Sequence, residues 1–297
     1  MSPSLRLLSH RSITLAVLFS MMSFLPAPAG DVGPDYTLEH DINYAPELAG
    51  TPGAERCVLD FYRPKNAKNF PTIVYFHGGG LAGGNKSIPK ELMDKGWAVV
   101  GATYRFSPVV KHPAYIEDAA SAVAWAFKHA PSHGGDRSKV FVLGISAGAY
   151  LGTMITLDKS YLAKHGIDAN EIAGLISVSG QMITHQTIRK EQGIEPSQFR
   201  PTIDTFAPLY HIRKDAPPVL CTTGDWSTDV LMRAEENLYF VSMMKLVGHP
   251  DIRHVVLKDA NHTRACKEAW PQVIEFIQEK LTTPRLAPIE PTQTPQP

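Results

Sequence analysis

The chain has 297 residues, of which 43% are hydrophobic and 20% charged, a composition that fits a globular protein and excludes a collagen-like, coiled-coil or disordered one. Lys plus Arg and Asp plus Glu are balanced at 29 each, without the basic excess that neutralising nucleic-acid phosphates requires, so nucleic acid is not an expected partner. The 22 glycines and 24 prolines point away from an all-helical fold, and three cysteines are too few for a disulfide scaffold.

Residues 1–29 read as a secretory signal. Arg6 and Arg11 supply the positive start, Ser12 to Leu25 carries no charge, and Ala27-Pro28-Ala29 has the small-x-small pattern of a cleavage site. The apolar run is shorter than the roughly 20 residues a membrane-spanning helix needs, so the expectation is cleavage near Ala29 and export to the periplasm or the medium, without stable membrane insertion. Removing this segment leaves 27 basic against 29 acidic side chains, a net charge of −2. At the other end, 282–297 holds five prolines and few apolar residues, which predicts a flexible tail. The folded unit is expected over 30–281.

Within that unit, Tyr36 to Tyr44 and Glu55 to Tyr62 read as an antiparallel hairpin. Short apolar runs follow at Thr72 to Phe76, Trp97 to Thr103, Val140 to Leu143, Ile172 to Val178, Val219 to Thr222 and Arg253 to Leu257. Runs without polar alternation are the signature of strands buried on both faces. Helical periodicity lies between them. Ile116, Ala120, Val123 and Phe127 mark one apolar face, Ala234, Leu238, Val241 and Met244 a second, and Trp270, Val273, Ile274, Ile277 and Leu281 a third. Alternating strands and helices predict an α/β fold, a mostly parallel central sheet with helices on both faces.

Gly144-Ile145-Ser146-Ala147-Gly148 joins the strand Val140 to Leu143 to a helix over Ala149 to Leu157. At a strand-to-helix junction, Gly-x-Ser-x-Gly permits a sharp turn that raises the serine hydroxyl above the sheet edge, next to the N–H groups of a helix start. Upstream, His77-Gly78-Gly79-Gly80 follows another strand; backbone without side chains can bring its N–H groups close to a developing oxyanion. Read together with Tyr104-Arg105-Phe106-Ser107-Pro108, His112-Pro113 and Glu117-Asp118, in this order, the chain resembles α/β-hydrolase esterases of the hormone-sensitive-lipase and feruloyl-esterase-like groups over about residues 55–280.

The resemblance implies a serine carboxyl-ester hydrolase of the α/β-hydrolase fold that needs no cofactor and no metal. Ser146 would be the nucleophile, and Gly79, Gly80 and Ala147 would supply the oxyanion N–H groups, with Gly78 in play if the loop is rotated by one residue. The family's chain order places the base near the end of the domain, which selects His262 in Asp259-Ala260-Asn261-His262 over His211, His249 and His254, each read as a solvated loop histidine. The acid must lie after the Val219 to Thr223 strand. In related hydrolases it often stands three residues after the glycine, but Ser227 holds that position. Asp229 is adopted on chain spacing, and Asp225 remains the alternative, with turn capping as its structural role.

The resemblance also implies that Arg105 is a structural brace, with Asp118 as its expected partner. His129 and His133, before the Gly134-Gly135-Asp136 loop, lack ligand partners at metal spacing. Glu235 and Glu236 are adjacent on a helix and so do not form an acid/base pair. Cys57, Cys221 and Cys266 read as buried thiols, of which one pair could oxidise after export. Residues 181–208 have no single clean period; the resemblance implies a small cap over the site there, and a plain surface helix and loop is the alternative. The substrate expected is a small-molecule or carbohydrate ester; oligomeric state is not legible. Two other functions fit the same residues, a catalytically silent binding domain and an amide or peptide hydrolase.

Overall fold

A computed structural model describes residues 33–282, so the signal expected at 1–29 and the tail beyond Thr282 lie outside the described residues. Eight strands form one sheet: β1 (Tyr36–Asn43), β2 (Val58–Pro64), β3 (Phe70–Phe76), β4 (Ala98–Ala102), β5 (Gly135–Ile145), β6 (Gly174–Val178), β7 (Val219–Thr223) and β8 (Ile252–Val256). Their order across the sheet is β1-β2-β4-β3-β5-β6-β7-β8. β1 with β2 and β2 with β4 are antiparallel, the hairpin expected at the start of the fold; every later pair is parallel.

The helices are α1 (Ala114–His129), α2 (Ala147–Leu157), α3 (Lys159–Ala163), α4 (Gln186–Glu191), α5 (Arg233–Leu246), α6 (His262–Glu268) and α7 (Trp270–Thr282). The central strands separate two cores by the two-residue period of a strand. Val74 and Phe76 face Val100, Val142 and the α1 side chains Ile116, Val123 and Phe127. Ile73 and Tyr75 face Val99, Phe141 and Leu143 on the other side, closed by Val273, Phe276 and Ile277 of α7. Covering both faces is what makes these strands read as unbroken apolar runs. Among the described residues, no helix is long and apolar enough to cross a membrane.

Three local expectations need correction. β5 begins at Gly135, inside the stretch read as a loop, because Phe70 of β3 pairs with Gly135 and carries the ladder across a register shift. Leu238 is exposed, and the buried face of α5 instead includes Glu236 and Asn237. These two polar side chains serve the chain leaving β6: Glu236 accepts the Met182 and Ile183 N–H groups, and Asn237 donates to the Gly180 carbonyl. α7 extends through Thr282, one residue into the segment read as tail.

Candidate active site

β5 ends at Ile145 and α2 starts at Ala147, so the change of direction falls on Ser146. Its φ of 54° and ψ of −116° lie outside the regions a non-glycine residue favours, a strain of about 1–3 kcal/mol. The flanking glycines make the turn physically possible. A Cβ on Gly144 would lie 2.2 Å from the Gly148 backbone carbon, and one on Gly148 would lie 2.2 Å from the Phe76 carbonyl oxygen. The Ser146 N–H donates to the Val178 carbonyl at 2.7 Å, which ties the elbow to the end of β6. Ala147 then opens α2, where the first N–H groups have no acceptor within the helix.

His262 Nε2 lies 2.9 Å from Ser146 Oγ, across 116 residues of chain, and His262 Nδ1 lies 3.0 Å from Asp229 Oδ1. The histidine is the first residue of α6, whose start is capped by Asn261 accepting the Arg264 N–H. The loop after β7 reaches it by coiling once: the Asp225 carbonyl accepts the Thr228 and Asp229 N–H groups at 3.1 and 2.9 Å. Within that coil the Asp225 carboxylate accepts Ser227 N–H and Oγ–H, and also the Asp259 N–H. Asp225 therefore caps the turn, Ser227 is consumed in it, and Asp229 is the carboxylate that meets the ring.

The Asp229 side chain is only 1% exposed and accepts, besides the ring N–H, the backbone N–H groups of Gly224 and Val230, each at 2.7 Å. Burial alone would push its carboxyl upward; the hydrogen bond and charge of His262 and these backbone donors outweigh that and hold it below the ordinary carboxylate range. His262 is 23% exposed, so solvent reaches the ring but not the acid behind it.

One residue beside this constellation carries no signature in the sequence. Ser179, just past β6, places Oγ 3.1 Å from Asp229 Oδ2 and 3.0 Å from His262 Nδ1. Its hydroxyl donates to the carboxylate while its oxygen shares the ring proton. It holds this position with φ 51°, its N–H on the Thr222 carbonyl and its own carbonyl accepting from the buried Arg233. The sequence shows only Ser-Gly after a strand, a pattern too common to single it out.

His77 is buried and lies flat on Tyr104, the ring centroids 4.6 Å apart. Burial pushes the ring down to about 4, so it is neutral near pH 7. The loop it opens runs against the elbow, where a Cβ on Gly78 would stand 3.3 Å from Ser146 Cβ. Behind it, Arg105 and Asp118 form a buried bidentate pair, with NH2 2.7 Å from Oδ1 and Nε 2.9 Å from Oδ2, and the Arg105 N–H also on Oδ2.

The rival histidines are structural, and they are not solvated loop residues. His249 is buried with Nε2 on the Ala216 and Pro217 carbonyls, His254 pairs with the Thr223 hydroxyl, and His211 reaches the Thr205 carbonyl. All three cysteines are free thiols; Cys57 and Cys221 are buried and Cys266 is half-buried. Among the described residues, no three or more His, Cys, Asp or Glu side chains are grouped to hold a metal ion. The 181–208 segment contains the short helix α4 and packs through Met182 and Ile188 into the core on the α1 and α2 side.

The match to known proteins agrees with this architecture. A family model described as BD-FAE matches residues 59–240. Esterase LipC of Mycobacterium tuberculosis is 27% identical over 229 residues, covering 69% of this chain and 56% of LipC. Carboxylesterase NlhH of the same species is 34% identical over a shorter stretch, 32% of this chain and 31% of NlhH. The chain thus spans little more than half the length of the first of these relatives and less of the second. Among solved structures, a truncated carbohydrate esterase from gut microbiota superposes with a TM-score of 0.69 at 19% identity, over 87% of this chain and 99% of that one. Thermogutta terrifontis esterase 2 gives 0.64 at 23%, over 83% and 95%. With this sheet order, this elbow and this family match, the chain is a member of the BD-FAE family and has the α/β-hydrolase fold.

Proposed function

We propose that the protein is an exported serine carboxyl-ester hydrolase acting on short acyl esters or acylated carbohydrates. The observation that carries the reading is the unbroken line from Ser146 Oγ through His262 to a buried, ionised Asp229, at 2.9 and 3.0 Å. Ser146 Oγ attacks the ester carbonyl carbon as His262 Nε2 takes its proton. The tetrahedral oxyanion is met by the N–H groups of Gly79, Gly80 and Ala147. His262 then gives the proton to the departing alcohol, and the carbonyl re-forms as an acyl-serine. Water, deprotonated by the same nitrogen, attacks that acyl group, and collapse releases the acid and restores Ser146. Asp229 keeps the imidazole in the tautomer with its proton on Nδ1 and stabilises the imidazolium, without taking the proton itself.

Names of the relatives support ester chemistry, and carbohydrate appears in the description of one similar structure. Labelling with a fluorophosphonate and mapping the adduct tests the nucleophile: the adduct is expected on Ser146 and absent from Ser146→Ala. Turnover of acetyl, butyryl and feruloyl esters against aminopeptide amides separates an esterase from an amidase, and an unlabelled wild-type protein is the result expected of a silent binding domain.

A further inference from the structure

The glycine loop after β3 has three successive carbonyls, and each is held by a different partner. His77 Nδ1 lies 2.6 Å from the Gly78 oxygen; since a carbonyl can only accept, the ring carries its proton on Nδ1, and Nε2 accepts from the Thr103 hydroxyl at 3.2 Å. The Gly79 oxygen accepts the Ala82 N–H at 3.1 Å. The Gly80 oxygen accepts the Thr187 hydroxyl at 2.6 Å, from a residue 107 positions away in the 181–208 segment. In a trans peptide the C=O of one residue and the N–H of the next share a plane, so the His77 and Ala82 contacts aim the Gly79 and Gly80 N–H groups, and the Thr187 contact fixes the Gly80–Leu81 plane that follows them.

The third fastening differs from the other two because it is not local. Gly80 has φ 66° and no side chain, and a Cβ there would meet nothing within 4 Å, so no side-chain contact holds its torsions. The helix that carries Thr187 is anchored at both ends. The Thr187 N–H donates to Nδ1 of the buried His185 at 3.2 Å, and Gln186 N–H donates to Gln181. At the far end Glu191 accepts from the His112 N–H at 2.9 Å, from His112 Nδ1 at 2.7 Å and from the Tyr115 hydroxyl. Arg189, buried, donates to the Thr184 and Ser197 carbonyls. This is a braced strut that reaches the glycine loop through the Thr187 hydroxyl.

We propose that Thr187 is a positioning residue for the oxyanion donors, through which the 181–208 segment fastens the glycine loop. The proposal rests on the reading of Gly79 and Gly80 as those donors. Without the Thr187 hydroxyl the Gly80–Leu81 plane is released, Gly80 regains rotation about its own φ and ψ, and the Gly80 N–H loses the restraint on its downstream side.

The test compares Thr187→Val, which removes the hydroxyl at similar size, with Thr187→Ser, which keeps it. Loss of one such bond predicts a kcat lowered roughly five- to tenfold in the Val variant with KM within about twofold, and near wild-type kcat in the Ser variant. Hydrogen exchange of the backbone over 77–84 is expected to quicken in the Val variant only. Wild-type exchange and kcat in the Val variant overturn the proposal, as does an equal loss in both variants, which would assign Thr187 to packing. Fluorophosphonate labelling of wild-type Ser146 separately reports the ester-hydrolase reading. If that fails, the exchange comparison still decides whether Thr187 fastens the loop.

Discussion

Replacing Asp229 by Asn changes one oxygen that accepts two hydrogen bonds into an amino group that accepts none. If the amide nitrogen takes the Oδ1 place, it faces the Val230 N–H at 2.7 Å and His262 Nδ1 at 3.0 Å. The ring is then driven to carry its proton on Nε2, where it can no longer accept from Ser146. If the nitrogen takes the Oδ2 place, it faces the Gly224 N–H at 2.7 Å; the Ser179 hydroxyl can turn to accept, but a backbone amide cannot. A buried N–H left without an acceptor costs about 1–3 kcal/mol, and the wrong imidazole tautomer costs on the order of 10⁴ in kcat in serine-protease triads. Asp229→Asn is therefore expected to lower kcat on a p-nitrophenyl acetate assay by about 10³ to 10⁴ and to lower Tm by roughly 5 °C. Asp225→Asn weakens the turn at Ser227 and the contact with the Asp259 N–H but leaves the Asp229–His262 hydrogen bond in place, so turnover should stay within about twofold of wild type. Near wild-type turnover in Asp229→Asn together with a collapse in Asp225→Asn would refute the reasoning and transfer the acid role to Asp225.

Ser179→Gly keeps a backbone that already sits at φ 51° while removing the hydroxyl from Asp229 and His262; kcat/KM should fall about tenfold, and a fully active Gly variant would show that the hydroxyl is incidental. Asp118→Asn leaves the buried Arg105 guanidinium without its countercharge, so stability should drop by about 3 kcal/mol in denaturant titration, whereas a change below about 1 kcal/mol would mean the pair is not structural. Burial holds His77 at about 4 and His185 at about 3, whereas an unfolded histidine titrates near 6.5. Between pH 6.5 and about 4 the unfolded chain binds protons that the folded one refuses, so stability should fall with pH by about 1.4 kcal/mol per unit for each ring; a flat Tm from pH 6.5 to 4.5 would contradict neutral burial.

The glycines of the elbow show why part of the site could be read in one dimension. Only residues without Cβ fit at 144 and 148, because backbone from β3 and from the helix itself occupies that space. That steric demand writes itself into a contiguous pentapeptide between a strand and a helix. The apolar runs of β3, β4 and β6 are legible for a similar reason, since a strand buried on both faces has no position where a polar side chain is cheap. Arg105 and Asp118 sit 13 residues apart, and their pairing follows once α1 packs under β4.

Other features depend on contacts that no local pattern encodes. The polar inner face of α5 breaks the apolar period because Glu236 and Asn237 answer backbone groups near Gly180 and Met182, which are distant in sequence. The choice between Asp225 and Asp229 turned on one coil of loop, a matter of i to i+4 hydrogen bonds that spacing alone cannot predict. Ser179 and Thr187 are ordinary residues in the sequence, and become significant only when the sheet brings β6 beside β7 and the 181–208 segment folds back on the glycine loop.

By itself the sequence determined the strand and helix alternation and the elbow at Ser146, because each is enforced by burial or by steric exclusion along neighbouring residues; the chain order of serine, acid and histidine came from the family resemblance of its motifs. The tertiary structure alone decided which carboxylate reaches His262, that a second serine shares its proton, and that the 181–208 segment grips Gly80. Those are hydrogen bonds between groups from 33 to 107 residues apart, and their strength depends on distances of a few tenths of an ångström that only the folded chain sets.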